Sequence, residues 1–250
     1  MGGLELLHEP RWNPLSRFGL THSFFNIDYQ TVMQTWIVLL ALVLLLIPIY
    51  IILKRKPGIV HFMITSFVNY FVNLCNQSIG RFIFKHFAFV TSLFIFILMC
   101  NLISIIPGLE EPTKNINTTL AFGLVSFLYI NYYSIKTHGA WEYIKEYFRP
   151  IPVMFPLNVV GKIANILSIS FRLFGNIFGG VIIGQIWFNA IGGSIIFETV
   201  GILTGINLII TGFFGLFEGL LQAFVFMMLT VTYLAIEIQT EQSQQSEETT

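Results

Sequence analysis

Long apolar runs separated by short polar links dominate this chain. About 20 apolar residues cross the hydrocarbon core of a bilayer, so the runs predict membrane-spanning helices. The fourth run, of about 34 residues, is longer than one perpendicular crossing needs and must tilt, bend or overrun the bilayer. The helix of the last run is predicted to start near Gly201. Five spans are predicted, at 32–53, 86–106, 118–134, 157–190 and within 195–238.

A further segment, 59–82, alternates apolar and polar residues at helical spacing. Its apolar positions include Phe67 and Phe71, and its polar positions include Asn69 and Asn73. The pattern favours an amphipathic helix lying in the membrane interface, with a polar-faced span as the alternative. Basic residues flank both ends, and clusters of Lys and Arg mark the cytoplasmic side of a membrane. The N-terminus is therefore predicted outside and the C-terminus inside.

Three regions follow from this pattern. Residues 1–31 form a polar N-terminal outer segment, and residues 32–238 form the membrane domain. The tail 239–250 is rich in Gln, Glu, Ser and Thr, a composition typical of disorder, and is predicted to lie in the cytoplasm. The predicted fold class is an all-α integral membrane protein whose last two helices are long and tilted as a hairpin.

Composition supports the membrane assignment and excludes several functions. Of 250 residues, 55% are hydrophobic and only 10% are charged, against about 25% charged in soluble domains. The formal net charge is zero, which argues against nucleic acid as a partner. Cys75 and Cys100 lie in apolar runs, and the histidines form no pair at helical spacing. No metal site and no cofactor are expected, and no nucleophile–base set for catalysis is visible.

The strongest candidate for function is Arg172, a cation in the middle of the fourth apolar run. An arginine at bilayer depth costs roughly 3 to above 10 kcal/mol and is read as functional by default. At about 100° per residue, a stripe of mostly polar or small residues shares its face. Such a face meets water or a partner helix rather than lipid. The stripe comprises Asn158, Gly161, Asn165, Ser168, Asn176, Gly179 and Ile183.

The last apolar run carries a second stripe. If the two long helices pack as an antiparallel hairpin, the stripes could face one another or a shared cavity. One alternative is a permanent Arg172–Glu218 ion pair that only holds the hairpin; another is that the asparagines serve as interhelical hydrogen-bond partners. The second stripe comprises Thr204, Asn207, Thr211, Gly215, Glu218 and Gln222.

Several motifs carry a family resemblance. The run Ser168-x-Ser170-x-Arg172-Leu173-Phe174-Gly175-Asn176, with Pro156-Leu157-Asn158 before it and Gln222-Ala223-Phe224-Val225-Phe226 after it, resembles subunit a (subunit 6) of the rotary proton-translocating ATP synthases. Weaker matches are Cys100-Asn101-Leu102 and Pro112-Thr113. The resemblance covers about residues 30–236.

The resemblance implies a non-catalytic stator subunit. In that family the arginine faces the carboxylates of a rotating ring of c subunits, between two offset aqueous half-channels. The implied partners are the c-ring, the peripheral-stalk b subunits and the lipid bilayer. The implied location is the bacterial inner (plasma) membrane, with the mitochondrial inner membrane as the alternative. Coupling to protons or sodium stays open, as does the ring stoichiometry.

Together with the polar residues around Arg172 and on the last helix, the resemblance suggests candidate residues for each half-channel. For the outer half-channel they are Glu218, Gln222, Asn176 and Glu198, and for the inner one Ser168, Asn165 and Asn158. Relatives often carry an acid where this chain has Gly179-Gly180-Val181, and His or Glu where it has Gly215. Glu218 is expected to substitute. A secondary transporter that binds an anion at Arg172 is the rival function, but the internal repeats it should show are not visible.

Overall fold

The computed structural model describes residues 11–12, 27–54, 58–106, 109–148, 151–191 and 213–248. These residues are nearly all helical, as predicted. The exceptions include two short strands, β1 (Arg11–Trp12) and β2 (Ile27–Asp28), which pair antiparallel just before the first helix. The helices are α1 (Tyr29–Leu53), α2 (Ile59–Ile79), α3 (Phe84–Leu102), α4 (Ile116–His138), α5 (Ala140–Glu146), α6 (Phe155–Ile191) and α7 (Gly219–Glu248).

Short turns join or extend these helices at points that matter for the site. One-turn 3-10 segments follow α3 and precede α4 and α6, and a π-helical segment leads directly into α7. Asn115 caps α4, because its side chain accepts a hydrogen bond of 3.0 Å from the Asn117 amide. The three 3-10 segments are Ile103–Ile105, Pro112–Lys114 and Pro152–Met154, and the π-helical segment is Phe213–Glu218.

The core is built around α7. Phe226, Met227 and Val231 of α7 are buried against side chains of α2, α3 and α6, which include Phe71, Ile97 and Leu173. On its other side α7 contacts α4. Helices in lipid associate through close packing and interhelical hydrogen bonds, because lipid tails are as apolar as the side chains.

The approach of α4 to α6 depends on a glycine. A Cβ atom at Gly123 would lie 2.1 Å from the Ser170 hydroxyl oxygen and 3.2 Å from Cγ2 of Ile166. Only glycine therefore allows this contact without a shift of the neighbouring side chains. The α4–α6 contact fixes the orientation of α6 about its own axis, and with it the direction in which Arg172 points.

Five described helices are long and apolar enough to span a membrane, the number predicted, but their membership differs from the prediction. They include α2, for which the sequence favours an interfacial position, and they do not include α4. The predicted span 118–134 lies within α4, and its polar side chains Thr119, Ser126 and Ser134 are buried in the protein. The interfacial placement of α2 stays a prediction.

Two helices extend further than the sequence indicates. The structure continues α7 as helix to Glu248, where the sequence predicts disorder from residue 239. Gln and Glu are good helix formers, and a helix that has been nucleated extends at little cost. α6 has 37 residues, slightly more than predicted. The predicted start of the last helix near Gly201 lies outside the described residues.

Candidate functional site

The structure places Arg172 on the outward face of α6. Its side chain is exposed, whereas Ile169, Leu173 and Ile177 on the opposite face are buried in the core. None of the ion pairs among the described side chains involves Arg172, so the alternative of a permanent pair with Glu218 is not what the structure shows. A full charge at this depth is therefore presented to whatever packs against the chain.

Most of the predicted stripe shares this exposed face. Asn165, Ser168 and Asn176 are exposed, as expected for residues in phase with Arg172. Asn158 is half-buried because its side-chain amide donates a hydrogen bond of 2.9 Å to the Tyr147 carbonyl, in the segment after α5. The face thus combines one cation with amides and a hydroxyl, and it turns away from the core of the chain.

The predicted meeting of the two long helices occurs one turn beyond Arg172. The Asn176 side-chain amide donates a hydrogen bond of 2.7 Å to Oε1 of Gln222, which is 4% exposed. At the other end of α6, Lys162 pairs with Glu237 of α7. Because the partners on α7 follow the reverse order, α6 and α7 run antiparallel, as the hairpin prediction requires.

Glu218 lies at the end of the π-helical segment and is half-buried. The adjacent Gly219 is held by Asn101, a fully buried residue of α3 that is itself held by Thr113. Asn101 donates a hydrogen bond of 3.0 Å to the Gly219 carbonyl and accepts one of 2.8 Å from the Thr113 hydroxyl. This contact holds the α3–α4 link against the start of α7. Glu198 and the stripe positions Thr204, Asn207 and Thr211 lie outside the described residues.

Glu111 is an acid near this point that sequence reasoning missed. Ser104 donates a hydrogen bond of 2.5 Å to its carboxylate. Burial is the main cause that raises the pKa of the Glu111 carboxyl to about 7; the negative charge of Glu218 raises it further, while Ser104 and Lys114 oppose the shift. In the sequence, Glu111 is part of an outer loop, and no periodicity connects it with Glu218.

Glu111 should make stability fall with rising pH. Its ordinary pKa is 4.5 and its pKa in the folded protein is about 7. The folded state binds this proton more tightly than the unfolded state does, so the protonated carboxyl stabilises the fold fully below its ordinary pKa. This stabilisation is lost as the pH rises through the pKa of Glu111 in the folded protein. We expect the melting temperature in detergent to fall between about pH 5 and about pH 8 more steeply for the wild type than for Glu111→Gln. Glu110→Gln should show the same dependence of melting temperature on pH as the wild type. Equal pH dependence in all three proteins would contradict the raised pKa of Glu111.

A second missed acid, Glu237, lies on α7 beside Lys162 of α6. Its carboxylate is 2.9 Å from the Lys162 ammonium and accepts a hydrogen bond of 2.9 Å from Ser134 of α4. The ammonium also lies over the rings of Tyr143 and Tyr147, 4.8 and 4.6 Å from their centroids. The sequence places Lys162 near the inner end of its helix but gives it no partner. Glu237 lies at the end of the last predicted apolar segment, 195–238, just before the predicted tail, and the sequence gives it no role.

Comparison with known proteins identifies the family to which this chain belongs. The family model described as ATP synthase A chain matches residues 32–235. The chain belongs to this family. Members of this family are non-catalytic membrane subunits of the ATP synthase complex, and they translocate ions. No group of three or more His, Cys, Asp or Glu that could hold a metal ion occurs in the described part of the chain.

Individual family members match over most of their length. ATP synthase subunit a of Moorella thermoacetica is 34% identical over 210 residues, covering 83% of this chain and 89% of the relative. The Aliarcobacter butzleri protein of that name is 34% identical over 221 residues, covering 83% and 91%. The Propionigenium modestum protein, named ATP synthase subunit a, sodium ion specific, is 31% identical over 223 residues, covering 82% and 72%.

Proposed function

We propose that this chain is the proton-channel stator subunit of an ATP synthase, with Arg172 separating two offset half-channels. The observation that carries the proposal is the exposed Arg172 side chain, which has no acidic partner among the described residues. A charge left without a counter-ion at bilayer depth needs a partner outside its own chain. The carboxylate of a rotating c subunit meets that need.

The physical chemistry of such a pair explains coupling. Near Arg172 a ring carboxylate stays ionised, because an opposite charge lowers its pKa. Once it moves into lipid it has to carry a proton, since an isolated charge is not tolerated there. A proton therefore cannot cross directly from one half-channel to the other and travels with the ring instead. The membrane potential supplies about 2.3 kcal/mol per charge per 100 mV.

The two half-channels are proposed on either side of Arg172 along α6. For the outer one, the hydrogen-bonded Asn176 and Gln222 lie one turn beyond Arg172, and Glu218 lies one turn further from Gln222 along the last helix. Glu198 remains a proposed member. For the inner one, Ser168, Asn165 and Asn158 lie on the opposite side of Arg172, toward the start of α6.

The remaining partners and the location are proposed on the same basis. Beside the c-ring, the chain is expected to contact the peripheral-stalk b subunits. The matching relatives are bacterial, which favours the bacterial plasma membrane over the mitochondrial inner membrane. The coupling ion is proposed to be the proton, although one relative is named as sodium ion specific.

Disulfide cross-linking tests which face of α6 meets the ring. Ser168→Cys lies on the exposed face, whereas the adjacent Ile169→Cys would be at a position that is only 6% exposed. A disulfide requires Cβ atoms about 4 Å apart. We expect Ser168→Cys to cross-link with cysteines placed along the outer helix of the c subunit, and Ile169→Cys to give no product. Cross-linking of Ile169→Cys alone would show that α6 is rotated away from the ring.

A further inference from the structure

Side chains of α4, α6 and α7 line a partly open cavity of about 220 Å³ on the Lys162 side of Arg172. Apolar side chains form much of its wall, but six of the residues that line it are polar or charged. A volume of this size accommodates several water molecules, and buried water is stable where it finds polar partners. The polar lining comprises Ser126, Asn131, Lys162, Asn165, Thr230 and Glu237.

Ser126 is the side chain that indicates what the cavity holds. It is 2% exposed, and its hydroxyl makes no hydrogen bond to any described residue. Buried hydroxyls are almost always hydrogen-bonded, because an unpaired one costs about 1–3 kcal/mol. Since Ser126 lines the cavity, a water molecule there is the natural partner for it.

Residues in the cavity lining lie beside the two places that a proton must reach. Asn165 lines the cavity and also belongs to the exposed stripe that carries Arg172, so it joins the ring-facing surface to the interior. At the other end, Lys162 and Glu237 form an ion pair whose side chains are 24% and 16% exposed. Two charges at the edge of an apolar segment are far less costly when they are hydrated.

We propose that this cavity is a water-filled chamber of the inner half-channel and that Glu237 is the acid at its inner end. A proton released by the ring acid passes along waters that are hydrogen-bonded to Asn165 and fill the chamber, and reaches the Glu237 carboxylate, which then releases it to bulk water. Lys162 pairs with the Glu237 carboxylate at this point of the route. This inference depends on the proposed function, because it assigns a route to the same proton.

Silver-ion labelling of a cysteine at position 126 tests the chamber directly. Silver ions react with the thiolate, which forms in water and not in lipid. In inverted vesicles carrying the assembled complex, with Cys75 and Cys100 replaced by serine, Ser126→Cys should react at least about tenfold faster than Val125→Cys. Val125 is the neighbouring residue and is 50% exposed on the outside of α4. Equal labelling rates at positions 125 and 126 would contradict the proposal that the cavity is filled with water.

Glu237 is tested by proton conduction through vesicles from which the soluble catalytic head has been removed. Glu237→Gln keeps the shape but cannot carry a proton, so conduction should fall at least about tenfold. Glu142→Gln, which changes a partly exposed acid of α5, should conduct as the wild type does. Conduction unchanged by Glu237→Gln would remove Glu237 from the route.

The labelling result separates this inference from the proposed function, because it does not require rotation. Fast labelling at position 126 together with normal pumping by Arg172→Ala would leave the chamber standing and refute the stator role of Arg172. Slow labelling together with loss of pumping by Arg172→Ala would refute the chamber alone.

Discussion

Arg172→Ala should abolish ATP-driven proton pumping while the soluble head still hydrolyses ATP. The structure gives Arg172 no acidic partner among its described residues, so the guanidinium is available to a ring carboxylate. Without it, a ring acid loses the charge that lowers its pKa by about 1–3 units, equivalent to a factor of about 10 to 1,000 in the ionised population. Proton release into the half-channel should fall accordingly. Quenching of a pH-sensitive dye in inverted vesicles measures the pumping.

Two matched variants separate the effect of the charge from that of altered packing. Arg172→Lys keeps the charge but loses the planar fork that can bind a carboxylate through two hydrogen bonds, so it should pump slowly. Phe171→Ala changes the adjacent residue, which is 48% exposed and uncharged, and should pump at a rate close to that of the wild type. Normal coupled pumping by Arg172→Ala would refute the proposed function.

Glu218→Gln should reduce proton flux through the membrane sector at least about tenfold. Glu218 is half-buried, and the Asn101–Gly219 hydrogen bond fixes the residue next to it. Glutamine preserves the size and the hydrogen-bonding shape of the side chain but cannot take up and release a proton. Passive proton conduction in vesicles stripped of the soluble head isolates this step from ATP hydrolysis.

The control for Glu218→Gln must exclude disturbance of the π-helical segment. Phe217→Leu alters the neighbouring residue, which is 50% exposed, without changing any charge. It should conduct as the wild type does, and Glu218→Asp should retain part of the flux because it keeps a carboxylate. Equal conduction by Glu218→Gln and Phe217→Leu would exclude Glu218 from the outer relay.

Sequence patterns were sufficient where the controlling interaction is local. Hydropathy located α1, α3 and α6, and helical phase placed Arg172, Asn165 and Ser168 on one face, which the structure shows as exposed. The predicted span 118–134 also lies within a helix, α4. The sequence did not show that Thr119, Ser126 and Ser134 of α4 are buried in the protein.

The acids Glu111 and Glu237 show why the rest could not be predicted. Glu111 lies in the predicted loop between two spans, and Glu237 lies at the very end of the last apolar segment. Glu111 is affected by Glu218, and Glu237 pairs with Lys162, through contacts between segments far apart in the chain. Such contacts depend on the relative rotation and depth of whole helices, which a single sequence does not specify.

By itself, the sequence determined that this chain is a helical membrane protein with one costly cation in mid-span, because hydropathy and periodicity are properties of neighbouring residues. Only the tertiary structure decided that Arg172 faces outward without an acidic partner among the described residues, and that α4, α6 and α7 line a cavity with polar side chains in its wall. The physical reason is that the close contact at Gly123 and the Asn176–Gln222 hydrogen bond together fix the rotation of α6. That rotation sets which side of the helix meets the core and which side is left for a partner.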